Sequence, residues 1–75
     1  MIVNKDISPT RKIYYLGAIV LEVIADNGNS ADFFFTYDEV KKSENISMNL
    51  FTLTLDWLFI VGAITSNEGS ISRCS

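Results

Sequence analysis

Seventy-five residues, 48% of them hydrophobic and 12% aromatic, are too apolar for a disordered chain and too few for more than one domain, so residues 1–75 read as one. Six Lys/Arg against nine Asp/Glu leave a formal charge of -3, which gives no bulk attraction to nucleic acid or to an anionic membrane. His is absent, which removes the commonest general base and metal ligand, and the lone Cys74 has no partner for an internal disulfide, so no metal site of ordinary zinc type and no oxidising compartment is expected.

A chain of this size buries only about 60% of its unfolded surface. Its apolar content therefore exceeds what so small a core readily absorbs, and part of the surplus is expected to face another chain. A leader peptide has some support in Arg11-Lys12, the apolar run Ile13–Leu21 and the small-residue ending at Ala25. Asp6 upstream and Glu22 at the end of the run oppose it, and neither apolar run reaches the ~20 residues that span a bilayer. The expectation is a cytoplasmic chain with no membrane contact.

Residues 1–8 form an arm in which Ile2-Val3 allow a short strand. Ser8-Pro9 then starts a helix, with Ser as the N-cap and Pro where no N–H is needed. The first helix runs over residues 9–25, with Ile13, Leu16, Val20, Val23 and Ile24 on one face. Gly17 lies within that face, either as a point of close helix approach or as a tolerated cost of about 1 kcal/mol. Tyr14, Ile19 and Leu21 lie off the stripe, so more than half of the circumference is apolar. Asp26-Asn27-Gly28-Asn29-Ser30 is a turn.

Ala31–Phe35, with its run of Phe33, Phe34 and Phe35, reads as a short buried strand or extended segment. Thr36 and Glu39 have capping-box spacing, which places a second helix over 37–43 with Tyr37, Val40 and Phe35 inward. Lys41 and Lys42 suit its C-terminal dipole and read as a solvated face rather than a phosphate site.

Ser47 caps a third helix over 48–61, around which the chain is organised. Leu50, Leu53, Trp57, Ile60 and Val61 lie on one side; Met48, Phe51, Leu55, Leu58 and Phe59 lie on the other. Asn49, Thr52 and Asp56 form a narrow polar stripe between them. A helix apolar on two opposed faces is buried on both, either within its own core or between a core and a partner. The second arrangement is favoured, with Leu50, Leu53 and Trp57 assigned to the core. Phe51, Leu55, Leu58 and Phe59, with Tyr14 and Leu21 of the first helix, are assigned to a partner interface. Asp56 is included in that interface; it either bonds Asn49 or Thr52 or pairs with a basic residue of the partner.

Gly62 ends the helix, and residues 63–66 and 70–73 form a hairpin around Asn67-Glu68-Gly69, with Ile64 and Ile71 inward. The fold class expected is α+β: a small winged-helix-like domain of three helices with a C-terminal two-stranded β-hairpin. Such an order invites a DNA-binding reading, yet residues 47–61 hold no Lys or Arg and the wing offers Arg73 alone. Asp38 and Glu39 are adjacent and point apart on a helix, and no serine or threonine has an evident base. No catalytic residue and no cofactor is expected.

The run Leu53-x-Leu55-Asp56-Trp57-Leu58-Phe59-x-Val61-Gly62-Ala63-Ile64, followed by Glu68-Gly69-Ser70-Ile71-Ser72-Arg73, resembles the C-terminal half of the small middle components of bacterial ABC-three-component systems. The first helix and residues 33–40 fit the same order. The resemblance implies a non-catalytic accessory subunit that joins an SMC/Rad50-like ABC ATPase to an effector in anti-phage or anti-plasmid defence. Asp56, Trp57, Gly62 and Ile64 match the signature as structural or interfacial residues. Two other readings are a small winged-helix DNA-binding regulator and a self-associating homodimer.

Overall fold

The computed structural model describes residues 9–74. The expectations for the N-terminal arm and for Ser8 as a cap lie outside them. The elements run α1 (Pro9–Asp26), β1 (Ser30–Asp32), α2 (Phe33–Ser43), α3 (Met48–Ile60), β2 (Ile64–Asn67) and β3 (Ser70–Arg73). The fold is thus α+β, and among the described residues it holds three helices and a three-stranded antiparallel sheet in the order β1-β3-β2.

Leu16, Val20 and Ile24 of α1 are fully buried at the spacing of one helical face. Ile13 and Val23, expected on the same face, are half-buried at its margins. The helix closes with Gly28 at φ 78°, which lets the Asn29 N–H reach Ile24 O at 2.9 Å and the Gly28 N–H reach Ala25 O at 3.3 Å. This Schellman closure turns the chain directly into β1.

β1 is the strand that the hairpin expectation lacked. It pairs with β3 over Ala31↔Ile71, and both of these side chains enter the core. Three residues carry too little alternation to be recognised by pattern. The three phenylalanines are not a strand; they open α2. Asp32 is its N-cap: its carboxylate accepts from the Phe34 N–H at 3.0 Å and the Phe35 N–H at 3.2 Å. The expected cap Thr36 instead lies buried one turn inside, donating its hydroxyl to Asp32 O at 2.8 Å. Helical spacing then puts Phe33, Thr36, Tyr37 and Val40 on the inner side and leaves Phe34 and Phe35 exposed, contrary to the inward placement of Phe35.

Ser47 caps α3 as its position suggests, accepting from the Leu50 N–H at 3.1 Å. At the other end Gly62 stands at φ 79°, with Ala63 N–H to Leu58 O at 2.8 Å and Gly62 N–H to Phe59 O at 3.1 Å. The β2–β3 turn has positive φ at both Glu68 (51°) and Gly69 (86°), the backbone of a type I′ hairpin. The core gathers Leu16, Val20 and Ile24 of α1, Val40 of α2, Phe51, Leu55 and Leu58 of α3, and Ile64 and Ile71 of the hairpin. Ile46, in the α2–α3 connection, is also buried.

Candidate partner-binding surface

The placement of α3 decides which apolar residues are left for another molecule. Phe51, Thr54, Leu55 and Leu58 face the core. Phe51 is fully buried, with Phe33 and Tyr37 ring centroids 5.3 and 5.1 Å away. These contacts correct the assignment of Phe51, Leu55 and Leu58 to a partner interface: this chain's own core already covers them. Leu53, assigned to the core, instead points outward at 55% exposure, while Leu50 and Trp57 are half-buried at the core's edge.

The two faces are nearly equal in hydropathy, so period alone could not orient the helix. The threonines do not orient it either: Thr54 donates to Leu50 O at 2.9 Å and is fully buried, while Thr52 donates to Met48 O in the same way and is exposed.

The outward face of α3 runs Leu53, Trp57, Ile60 and Val61, with Ile60 82% and Val61 54% exposed. Leu50, Leu53, Trp57 and Ile60 are spaced three, four and three apart, the spacing of a seam that receives a second helix. Tyr14 of α1 extends the patch. It is exposed and meets the Trp57 ring edge-on, with centroids 4.7 Å apart and planes at 78°. Leu21, also assigned to the interface, is half-buried against the core. Phe34 and Phe35 form a separate exposed apolar spot at the start of α2.

Phe59 and Asp56 turn away from this seam towards the hairpin. There a groove of about 230 Å³ opens between α3 and the β2–β3 hairpin. Its apolar walls are Phe33, Leu55, Phe59 and Ile71, and its polar rim is Thr52, Asp56, Ser66 and Ser70. Asp56 bonds neither Asn49 nor Thr52; the Thr52 hydroxyl is given to Met48 O at 2.9 Å.

Charge elsewhere is used locally. Glu44 receives the Tyr15 hydroxyl at 2.8 Å and lies 3.7 Å from the Lys12 ammonium, tying the end of α2 to α1. That hydrogen bond, and then the charge of Glu44, raise the Tyr15 pKa. Lys42 pairs with Glu39 at 2.7 Å, which raises its pKa in the same way. Among the described residues, no group of three or more His, Cys, Asp or Glu is placed to hold a metal ion, and no helix is long and apolar enough to cross a membrane. The surface presents an apolar helical seam and, beside it, an apolar groove with an acidic rim.

Comparison with known proteins returned no match among curated proteins and none among solved structures. The family model of the ABC-three component (ABC-3C) system Middle Component 6 matches residues 2–74. With nearly the whole sequence matched, the chain belongs to the middle components of ABC-three component systems.

Proposed function

We propose that this chain is a non-catalytic, cytoplasmic accessory subunit that bridges an SMC/Rad50-like ABC ATPase and an effector in a bacterial anti-phage or anti-plasmid defence complex. Membership of a middle-component family implies partner components. The observation that carries the reading is the outward face of α3, where Leu53, Ile60 and Val61 stand more than half exposed around Trp57. A surface helix normally turns such a stripe inward. Left outward on a small domain, it supports a docking role. The element order is read as winged-helix-like, and α3, the element at the place of a recognition helix, has no Lys or Arg with which to grip phosphate. This favours protein over DNA as its partner.

The test is co-expression of the tagged chain with the other components of its own system. Wild type is expected to purify in a complex of fixed stoichiometry with the ATPase and the effector. Ile60→Asp, which removes no core contact, is expected to fold and to lose that complex. A wild-type chain that purifies alone from the co-expression contradicts the reading. The mass of the isolated chain separates it from self-association through the same seam.

A further inference from the structure

The groove between α3 and the hairpin has a chemistry that the apolar seam lacks. Leu55, Phe59 and Ile71 give it an apolar floor and wall, while Asp56, Ser66 and Ser70 stand on its rim. Among the described residues, the Asp56 carboxylate and the hydroxyls of Ser66 and Ser70 make no hydrogen bond or ion pair, so the rim holds a negative charge and two free hydroxyls. Asp56 is the sole charged residue of the lining and of α3. At about 230 Å³ the groove is smaller than the ~300–1,000 Å³ of small-molecule pockets, so it is of a size for one inserted side chain rather than a cofactor.

The occupant that matches is a side chain with an apolar stem and a cationic head. Arginine fits best. Its methylenes pack along apolar surface, and its planar guanidinium gives two parallel N–H bonds to a carboxylate with further donors for hydroxyl oxygens. The chain's overall charge of -3 favours approach of such a group. We propose that the α3–hairpin groove is a docking site for an arginine side chain of a partner component, held through its guanidinium by Asp56 and through its stem by Phe59 and Leu55. This rests on the subunit reading above and adds a second, electrostatic contact beside the apolar seam.

The test is titration of the purified chain into the assembled remaining components of its system, at low and high salt. Asp56→Asn is expected to weaken binding about ten-fold or more at low salt and to flatten the salt dependence. Asp56→Arg is expected to abolish binding, and changing one partner arginine to glutamate to restore it. Ser66→Trp, which fills the groove without touching the charge, is expected to weaken binding as well. Thermal midpoints of Asp56→Asn and wild type should coincide, because Asp56 has no partner among the described residues.

Unchanged affinity of a folded Asp56→Asn in a complex that wild type does form overturns the arginine site and leaves the subunit reading standing. Failure of wild type to bind at all overturns both. An isolated chain that dimerises through Asp56 makes the occupant a second copy and overturns the partner assignment.

Discussion

The ring of Trp57 lies against the backbone of Gly17: a Cβ placed on Gly17 would stand 3.1 Å from Trp57 Cζ3 and 3.4 Å from Leu58 Cδ2. The glycine is thus a point of close approach between α1 and α3, beside the T-shaped contact of Trp57 with Tyr14. Two effects oppose each other on substitution. Alanine gains about 1 kcal/mol of helix propensity, while the tight contact forces the half-buried indole to yield by a few tenths of an ångström. Gly17→Ala should therefore change stability by less than about 1 kcal/mol, whereas Gly17→Leu should cost about 1–3 kcal/mol by overpacking. Urea denaturation of the two variants checks both.

The inversion of the α3 faces has a direct consequence for truncation. Phe51→Ala removes a fully buried ring and should cost about 3–5 kcal/mol, enough to unfold much of a domain this small. Leu53→Ala, at a site 55% exposed, should stay within about 0.5 kcal/mol. A larger loss at Leu53 than at Phe51 would mean that the helix is turned the other way.

Asp32 closes β1 and opens α2 in one residue, through its two bonds to the Phe34 and Phe35 N–H groups. Asp32→Ala should cost about 1 kcal/mol, and Asp32→Asn, which keeps an acceptor, should cost less. Glu39→Ala leaves that cap intact and should cost no more than the ~0.5 kcal/mol of its exposed pair with Lys42. A larger loss from Glu39→Ala than from Asp32→Ala would restore the Thr36–Glu39 capping box as the helix start.

Tyr15 donates its hydroxyl to Glu44, which raises its pKa above the ordinary 10.0, first through the hydrogen bond and then through charge. A group with a raised folded pKa contributes stability that is fully present below its unfolded value and is lost as pH rises through the folded one. Lys42, raised from 10.5 by Glu39, has the same sign. Urea midpoints should hold below the ordinary 10.0 and fall above it as these groups lose their protons. Tyr15→Phe should flatten part of that fall. Both groups lie at the surface, so the effect is small.

Helices α1 and α3 were legible from their start and stop signals. Pro9, Gly28, Ser47 and Gly62 bound α1 and α3 within a residue of where the pattern places them, because a cap is a local property. The start of α2 was hidden because three successive phenylalanines suit a strand, while the capping geometry of Asp32 overrides that preference. β1 was hidden because its three residues gain a strand's hydrogen bonds only from β3, some forty positions later in the chain. Of the residues assigned to a partner interface, exposure separates two groups. Tyr14, Asp56 and Phe59 do reach solvent, but Phe51, Leu55 and Leu58 exchange places with Leu53, because an apolar helix gives a period without a direction.

The measurement that bears most directly on the outward face of α3 as the docking surface is side-chain footprinting with hydroxyl radicals, run on the isolated chain and on the complex assembled from its own system. Labelling of Leu53, Trp57, Ile60 and Val61 should be strong in the isolated chain and fall sharply in the complex, while Phe34, an exposed residue outside the seam, stays labelled. Unchanged labelling of those four residues in an assembled complex would contradict the account and move the interface elsewhere on the chain.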